Sequence, residues 1–312
     1  KWNGEGMDTI SYTIAMEEIS RVEASASVVM SVNNSLVCYL LEQFASDHIK
    51  GKYLKTLASG NKLGAFSLSE PQSGSDASNM QTTAQKKGDH YLISGIKNWV
   101  TNGINSDYVI LFAVTEKGVG HKGISCFIVE KGWDGFVMGK PENKLGLRAS
   151  DTCELYFDNV KVPIENIVGG KEGWNNGWNK IVSTGLDVEK IEVAAMALGI
   201  ARAAVEDAWQ YSQERIQFGR PICHNQSVRH MLSEVKTKLE GFKQDFEDGI
   251  KIVLKKYDEI RKEAEEELDD FWDDSYFPDK DEVEDLFKWE GDPWLITSIE
   301  DADAIGSLQA KF

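Results

Sequence analysis

The sequence predicts an α+β fold in which helices and strands occupy separate stretches of the chain. Residues 7–58 carry apolar side chains at helical spacing, residues 62–163 hold short runs rich in β-branched and aromatic residues, and helical spacing returns after residue 172. Because helices and strands do not alternate, an alternating βαβ fold is excluded. At 312 residues, the chain exceeds the usual size of one domain and should form two or three packed subdomains.

The first predicted domain is helical and covers residues 1–60, which we interpret as part of a larger N-terminal helical domain. Met7, Ile10 and Ile14 lie on one helical stripe, and residues 37–44 form a second apolar stretch. No apolar run approaches the roughly 18 residues that a membrane-spanning helix requires. We therefore expect no membrane span.

The second predicted domain, residues 61–165, is an antiparallel β domain. Its short runs are separated by Gly, Asn, Asp or Lys, as is typical of strands joined by turns. The runs are GAFSLSE, HYLISGIKNWVT, DYVILFAVTE, GISCFIVEK and CELYFDNVKVP. Catalytic or binding residues of such a domain are expected on its loops.

The third predicted domain, residues 172–268, is a helix bundle. It contains two long helical patterns, 177–213 and 226 to about 268, and the second carries a continuous apolar stripe. Residues 269–312 form an acidic tail of unknown structure. Residues 241–312 hold 23 of the 51 acidic residues and 9 of the 34 basic ones, so most of the net charge of −17 belongs to them.

The composition argues against several classes of function. The acidic balance disfavours a nucleic-acid partner, because phosphate binding needs basic surface. The four cysteines form no CxxC pair and no zinc-type cluster with histidine, so we expect no metal site and a reduced, cytoplasmic protein. The sequence has no GxGxxG that leads from a predicted strand into a helix, and it lacks GxxxxGK[ST], GxSxG and HExxH. This disfavours the common phosphate-loop, serine-hydrolase and zinc-protease sites.

Two stretches of the β domain carry candidate binding residues. The loop FSLSEPQSGSD, residues 66–76, offers backbone N–H groups and hydroxyls to a polar or anionic ligand, although an ordinary β-turn has the same composition. In IKNWVTNG, Trp99 and Thr101 are two residues apart and would lie on one face of a strand. They could stack on and hydrogen-bond a planar heterocycle, whereas the alternative is that Trp99 packs in the core.

Together with NKLGLRASDT, residues 143–152, these stretches resemble the acyl-CoA dehydrogenase family, of the short- or branched-chain type. Three further stretches are similar to the family: MDTISYTIAMEEISRVEASASVVMSVNNSL, FDNVKVPIENIVGGKEGW and YSQERIQFGRPICHNQ. The resemblance is collinear from about residue 4 to residue 239. Residues 241–312 do not resemble the family.

The resemblance implies a helical domain, a central β domain and a C-terminal helix bundle, with FAD held between the β domain and the bundle. Trp99 would cover one face of the flavin, and Thr101 would hydrogen-bond its N5 edge. Arg215 and Gln226 would reach the FAD of a neighbouring subunit, which implies a homodimer or homotetramer. The implied FAD-binding residues are Phe66, Leu68, Ser69, Gly74, Ser75, Trp99, Thr101, Arg215 and Gln226.

The family reaction is α,β-desaturation of an acyl-CoA thioester by a carboxylate base. In many members this base lies in a C-terminal segment similar to YEGTSEI, which has no counterpart here, and WEGDP at residues 289–293 is too short to replace it. In a smaller group the base lies in the first long C-terminal helix, within a stretch similar to GLDLER. This chain has GLDVEK there, so the resemblance assigns the base to Glu189.

The resemblance also implies that Ser75, Asp187 and Lys190 contact the acyl-CoA. Lys190 stands where the family usually has Arg, which keeps the charge but loses the fork of donors. The alternative for Glu189 is an exposed helix glutamate with Glu192 as its surface neighbour.

The sequence as a whole indicates an FAD-dependent dehydrogenase of short or branched-chain acyl-CoA that passes electrons to an electron-transfer flavoprotein. Two alternatives stay open: a flavin oxidase, and an inactive family member that serves as a binding or structural subunit. The expected location is the cytoplasm, or the mitochondrial matrix in a eukaryote.

Overall fold

The computed structural model describes residues 2–271, and it describes their side chains except at positions 179, 180, 183, 184, 187, 188 and 252–271. The chain divides into two compact units, residues 1–243 and 244–312. The sheet and the candidate site belong to the first unit. For the second unit the structure describes helical residues 244–271, so most of the predicted acidic tail lies outside the described residues.

The N-terminal region is largely helical. Helix α1 (Thr9–Ser31) begins after Asp8, whose carboxylate accepts a hydrogen bond from Ser11 N at 2.7 Å. The helix is kinked at Glu23, whose φ of −151° and ψ of 93° are not helical. The further segments are a π-helical segment Val32–Cys38, α2 Tyr39–Phe44, α3 Asp47–Ile49, a second π-helical segment Lys50–Leu54, and α4 Lys55–Ala58.

The stretch Thr9–Phe44 is long and apolar enough, by length and composition, to cross a membrane. This differs from the sequence expectation that no run approaches such a length. More than half of its most apolar window is buried inside the folded chain. A core helix of a soluble protein passes the same test, so the stretch is weak support for a membrane span.

The central region is a seven-stranded sheet in the order β1-β4-β2-β3-β7-β6, with β5 also paired to β4. Its strands are β1 Gly64–Ser67, β2 Thr83–Lys87, β3 His90–Thr101, β4 Tyr108–Val114, β5 Ile124–Glu130, β6 Phe136–Pro141 and β7 Thr152–Pro163. The pairs β2–β3, β3–β7, β6–β7 and β4–β5 are antiparallel. Strand β4 runs parallel to both β1 and β2. The α+β fold is confirmed, with a mixed sheet in place of an entirely antiparallel one.

Two strands, β2 and β6, are absent from the runs that the sequence predicts. Strand β2 reads TAQKK and buries Ala84 but leaves its last three side chains exposed, so it lacks an apolar pattern. Strand β6 reads FVMGKP, in which Gly139 and Pro141 are poor strand formers, and it lies at the edge of the sheet order. Both strands form because they pair with longer strands, β2 with β3 and β6 with β7.

The sheet buries apolar side chains on both faces. Along β4, Ile110 and Phe112 pack in a cluster with the N-terminal helices, whereas Val109 and Leu111 join a second cluster within the β domain. Successive residues of a strand point to opposite faces, so one strand contributes to both clusters. This explains why β4 reads as a continuous apolar run.

The C-terminal region begins with a π-helical segment Gly177–Val182 and helix α5 (Ser183–Glu214). A short hairpin of β8 (Ile216–Gln217) and β9 (Arg220–Pro221) joins α5 to α6 (Gln226–Phe271). The hairpin turn is formed by Phe218 and Gly219, whose φ values of 54° and 77° are typical of a type I′ turn. The short 3₁₀ helices are Ala77–Asn79, Gly120–Gly123, Ile164–Asn166, Gly170–Gly173 and Ile222–His224.

Candidate active site

The loop that leaves β1 forms the tight turn that its sequence predicts. Glu70 N donates a hydrogen bond to Ser73 O at 2.9 Å, and Ser73 N donates back to Glu70 O at 3.0 Å. The Ser73 hydroxyl donates to the carbonyl of Asp76 at 2.6 Å, which closes the far side of the turn. Gly74 and Ser75 are therefore held at the exposed tip of the loop.

A buried ion pair attaches this loop to strand β3. Lys97 is 0% and Glu70 4% exposed, and Lys97 Nζ lies 2.9 Å from Glu70 Oε1. The Glu70 carboxylate also accepts hydrogen bonds from Gln81 N at 2.6 Å and from Thr82 N at 3.0 Å. Burial opposes ionisation of Glu70, but Lys97 and these donors outweigh it and lower the pKa of Glu70 to about 2. Burial lowers the pKa of Lys97 to about 8, so both groups are charged at neutral pH.

Trp99 projects into solvent from a β-bulge. The register between β3 and β7 shifts between Lys97 and Val100, and Trp99 has a left-handed φ of 59°. Before the bulge the buried residues of β3 are at odd-numbered positions, such as Lys97, and after it the buried residue is Val100. The bulge therefore shifts the inward-facing side chains from odd-numbered to even-numbered positions. As a result the indole of Trp99 is 60% exposed, which excludes the alternative that it packs in the core. Thr101 is half-buried beside it.

The structure brings the predicted loop and the predicted strand together. Asn98 N donates to Ser69 O at 2.8 Å, and Lys97 Nζ donates to Leu68 O at 2.9 Å. Phe66 packs on Phe112 with ring centroids 5.1 Å apart. The loop backbone is therefore attached to β3 next to Trp99, whose side chain is exposed, and the loop tip at Gly74 and Ser75 is exposed as well.

Glu189 lies in the first part of α5 and faces the end of α1. Its two carboxylate oxygens are each 3.2 Å from the Ser31 hydroxyl. Burial raises the pKa of Glu189, and the Ser31 hydrogen bond opposes this effect. Glu189 is half-buried, so the alternative of an exposed helix glutamate is wrong.

Glu192 is not a surface neighbour of Glu189, because it is 1% exposed. Its Oε2 lies 2.9 Å from the Ser31 hydroxyl, and its Oε1 accepts a hydrogen bond from the Ser35 hydroxyl. Burial and the nearby charge of Glu189 raise the pKa of Glu192 to about 7, against the two serine hydrogen bonds. One helical turn of α5 thus presents two carboxyl groups with raised pKa values to the same serine.

The π-helical segment Val32–Cys38 connects the two halves of the site. On one side Ser35 reaches α5, and on the other Asn33 Oδ1 accepts a hydrogen bond from Gly64 N of β1 at 2.9 Å. Asn102, directly after β3, donates to the carbonyls of Val29 and Gly64 at 3.3 Å and 3.1 Å. The segment therefore contacts Glu192 directly through Ser35, and Gly64 of β1 joins it to Asn102 at the end of the Trp99 strand.

The remaining residues predicted for the site lie on α5 and around the β8–β9 hairpin. Arg215 and Gln226 flank the β8–β9 hairpin with exposed side chains, and no hydrogen bond joins either to the described residues of the 66–76 loop. Lys190 is exposed on α5, and the side chain of Asp187 lies outside the described residues. Within the part of the chain that the structure describes, no cluster of three His, Cys, Asp or Glu could hold a metal ion.

Sequence reasoning missed the roles of Glu70, Lys97, Ser31 and Glu192. A lysine at an inward-facing position of an apolar strand signals a buried charge. Its partner Glu70 is 27 residues away in the chain, farther than Asp89 or Asp107, so the sequence does not identify it. Ser31 of α1 and Ser35 of the following π-helical segment offered no signal of this kind, since Glu192 is 161 and 157 residues away from them in the chain.

The chain is similar in sequence to known proteins along most of its length. The N-terminal, middle and C-terminal domains of acyl-CoA dehydrogenase match residues 1–61, 65–160 and 175–251, so the match extends beyond residue 239. An acyl-CoA dehydrogenase of Bacillus subtilis is 47% identical over 241 residues, which are 77% of this chain and 62% of that protein. The chain thus spans about three-fifths of the length of its curated relatives.

Solved structures of similar chains share the fold, as two examples show. Butyryl-CoA dehydrogenase of Megasphaera elsdenii has a TM-score of 0.74 at 42% identity, covering 78% of this chain and 63% of that chain. A chain from the structure of the electron transferring flavoprotein of Acidaminococcus fermentans has a TM-score of 0.74 at 44% identity, covering 77% and 62%. With three consecutive family domains in order and the corresponding fold, the chain belongs to the acyl-CoA dehydrogenase family.

Proposed function

We propose that the protein is an FAD-dependent dehydrogenase that introduces an α,β double bond into a short or branched-chain acyl-CoA thioester. The observation that carries the proposal is the half-buried carboxyl of Glu189, whose pKa is raised by burial and whose oxygens face the Ser31 hydroxyl. A carboxylate with a pKa raised toward neutrality is suited to remove a weakly acidic carbon-bound proton.

The FAD-binding surface is proposed to be the loop at Phe66, Leu68, Ser69, Gly74 and Ser75 together with Trp99 and Thr101. The exposed indole of Trp99 fits this group, because a planar heterocycle would cover apolar surface that is now open to solvent. The exposed tip at Gly74 and Ser75 offers N–H and hydroxyl donors to a pyrophosphate. When bound, FAD would supply the acceptor for the β-hydrogen, which leaves the substrate with its electron pair.

Glu189 would act on the other hydrogen of the reacting bond. Its carboxylate would form an O–H bond to the α-hydrogen while the C–H bond breaks and its electron pair becomes part of the new double bond. Burial of the carboxylate keeps water away from the reacting atoms and strengthens its interaction with the proton. Ser75, Asp187 and Lys190 are proposed to contact the acyl-CoA, with Lys190 offering a point charge to a phosphate.

The proposed substrate class and the proposed electron acceptor are inferred from similar proteins. Butyryl-CoA dehydrogenase, at 42% identity, favours a short acyl chain, and the structure of an electron transferring flavoprotein contains a similar chain. We therefore propose that electrons pass to such a flavoprotein.

Self-association is also proposed, as a homodimer or homotetramer in which Arg215 and Gln226 reach the FAD of a neighbouring subunit. Large apolar side chains are exposed on α5, on the hairpin and on the first turns of α6, and exposed apolar surface often marks an interface. They are Trp209, Tyr211, Ile216, Phe218 and Met231.

The proposal is tested by a visible spectrum of the purified full chain supplied with FAD, recorded before and after addition of a panel of acyl-CoA thioesters. The wild type should retain flavin, and a short or branched acyl-CoA should bleach it. Glu189→Gln should retain flavin without bleaching, whereas Glu206→Gln, which changes an exposed glutamate of the same helix, should bleach normally. Failure of the wild type to retain flavin would overturn the proposal, and undiminished bleaching by Glu189→Gln would exclude Glu189 as the base.

Two further observations on the same preparations separate the two alternatives. Release of hydrogen peroxide during turnover in air would identify an oxidase, in which oxygen reaches the reduced flavin. Tight binding of FAD and acyl-CoA without bleaching by the wild type would identify an inactive binding subunit.

A further inference from the structure

The proposed base shares a hydroxyl with a second carboxyl group. Ser31 Oγ lies 3.2 Å from both carboxylate oxygens of Glu189 and 2.9 Å from Oε2 of Glu192. The two glutamates lie three positions apart on α5, which places them on the same face of the helix. No step of the proposed reaction uses Glu192.

The oxygen–oxygen contacts of this cluster are satisfied when one carboxyl is protonated. A serine hydroxyl donates one hydrogen and otherwise accepts. Ser31 can therefore donate to one carboxylate, and its contact with the other requires a hydrogen from that carboxyl. Ser35 donates to Oε1 of Glu192 and supplies none for the contact at Oε2. With both carboxyls ionised, two like charges would share one hydrogen in a buried site.

Glu192 is the carboxyl that holds the proton. It is 1% exposed, whereas Glu189 is half-buried, and burial penalises the charged form of the more buried group. The groups that face it are the hydroxyls of Ser31 and Ser35, the carboxyl of Glu189 and the phenol of Tyr12. Burial and the proximity of Glu192 raise the pKa of Tyr12, so this phenol is neutral as well. The direction agrees with the pKa of Glu192, which burial raises to about 7.

We propose that Glu192 is a positioning residue that, in its protonated form, donates to Ser31 and thereby fixes the Ser31 hydroxyl as a donor to the Glu189 carboxylate. The chain of donors runs from Glu192 through Ser31 to Glu189. It orients the base and stabilises its charged form before the substrate proton is taken. This inference rests on the proposed function, in which Glu189 is the base.

When Glu192 loses its proton, the Ser31 hydroxyl is no longer held as a donor to the Glu189 carboxylate. Above neutral pH the pair carries two negative charges, and Ser31 can no longer accept from Glu192 while donating to Glu189. The rate of substrate-driven flavin reduction should therefore fall as pH rises through neutrality, and it should fall again in acid, where Glu189 itself is protonated. The two apparent pKa values of such a bell-shaped profile describe the Glu189–Glu192 pair and not either residue alone.

The test measures flavin reduction against pH by stopped flow in the full-length wild type and in three variants. Glu192→Gln cannot titrate but still offers an N–H donor to Ser31, so the alkaline fall should disappear while the maximal rate stays within a few-fold of the wild type. Ser31→Ala removes the bridge and should lower kcat by about 10-fold to 100-fold with little change in KM, because the base is misplaced and the substrate contacts are kept. Glu206→Gln, on the exposed side of α5, should keep the wild-type profile.

Infrared spectra of the same proteins, recorded against pH without substrate, detect the protonated carboxyl directly. The wild type should show a protonated-carboxyl band that disappears near neutral pH, and this band should be missing in Glu192→Gln. Ser31→Ala should raise the pH at which Glu189 ionises, because the hydrogen bond that favours its charged form is gone.

The outcomes separate the two claims. An alkaline fall that persists in Glu192→Gln, or a neutral-range carboxyl band that this variant retains, would overturn the role of Glu192. If no acyl-CoA reduces the flavin in any variant, the proposed function fails. In that case, loss of the band in Glu192→Gln together with a raised ionisation of Glu189 in Ser31→Ala would still support the positioning contact, and absence of either would refute it.

Discussion

At the residue scale, Lys97 places a full positive charge in the protein interior, where a charge is stable only beside a partner of opposite sign. Glu70 is that partner, and two backbone N–H groups satisfy the rest of its carboxylate. Because Glu70 belongs to the loop and Lys97 to the strand that carries Trp99, the pair fixes two parts of the candidate FAD surface to each other.

We expect that breaking this pair is much more harmful than removing it. Lys97→Met alone, or Glu70→Gln alone, should lower the free energy of unfolding by about 3–5 kcal/mol, because one buried polar partner is left unmatched. The double variant should recover a large part of this loss. Urea unfolding of the four proteins completes the cycle, and strictly additive losses would contradict the interpretation.

Trp99 illustrates a residue whose position contributes little to stability. Its side chain is 60% exposed and its backbone is left-handed, a conformation that costs about 1–3 kcal/mol for a residue other than glycine. A large exposed aromatic in such a conformation favours a binding role.

Trp99→Ala should therefore leave the free energy of unfolding within about 1 kcal/mol of the wild type. The same change should weaken FAD binding about 10-fold, since a stacked aromatic contact contributes about 0.5–1.5 kcal/mol beyond the area that it buries. Fluorescence titration with FAD provides the measurement. Val137→Ala, at an apolar residue of β6 that is 59% exposed, is the control, and equal weakening by both variants would argue against a specific contact.

At the scale of elements, the contact between α1 and α5 determines the geometry of the carboxyl pair. Gly199 lies at a close approach of the two helices, where an added Cβ would be 2.3 Å from Glu17 O and 2.9 Å from Ser20 Cβ. Ser31 on α1 meets Glu189 and Glu192 on α5 across the same interface. Any separation of these helices moves the serine away from both carboxyls.

Gly199→Ala should lower the free energy of unfolding by about 1–3 kcal/mol, because the added methyl group overpacks the interface. This is opposite to the ordinary effect, since Ala is favoured over Gly in a helix by about 1 kcal/mol. Gly241→Ala in α6 has no atom within 4 Å of the added Cβ and should stabilise the protein slightly. Melting temperatures of the two variants should therefore shift in opposite directions, and a shared upward shift would disprove the close contact.

At the scale of the whole molecule, two buried glutamates give opposite pH dependences of stability. Glu70 has a pKa lowered to about 2 from its ordinary value of 4.5, so its contribution is present above that value and is lost as pH falls toward 2. Glu192 has a pKa raised to about 7, so its contribution is complete below 4.5 and is lost as pH rises to about 7. Together they favour a stability maximum in mildly acidic solution.

Glu192→Gln should flatten the alkaline side of this profile. Between about pH 5 and about pH 7.5, the wild type should lose free energy of unfolding on the order of 3 kcal/mol through this group, because one pKa unit corresponds to about 1.4 kcal/mol. The variant should lose correspondingly less. Urea unfolding at the two pH values checks this, with Glu206→Gln as the control that keeps the wild-type dependence, and equal slopes in all three proteins would contradict it.

The order of helices, strands and helices follows from local patterns in the sequence. The runs at β1, β3, β4, β5 and β7 are rich in apolar, β-branched and aromatic residues, and period and composition are properties of neighbouring residues. Strands β2 and β6 were not predicted, because half or more of their side chains are exposed and no apolar pattern marks them. Pairing with β3 and β7 accounts for their extended conformation.

The sequence by itself therefore determined the fold class, the family and the segments that carry the candidate site, including Trp99, Thr101 and Glu189. Only the tertiary structure decided that Trp99 faces solvent, that Lys97 is buried against Glu70, and that Glu192 is an interior carboxyl that shares Ser31 with Glu189. The physical reason is that burial and charge pairing depend on contacts between distant segments. A register shift of one residue at the bulge, and one close helix crossing at Gly199, fix those contacts without leaving a local pattern.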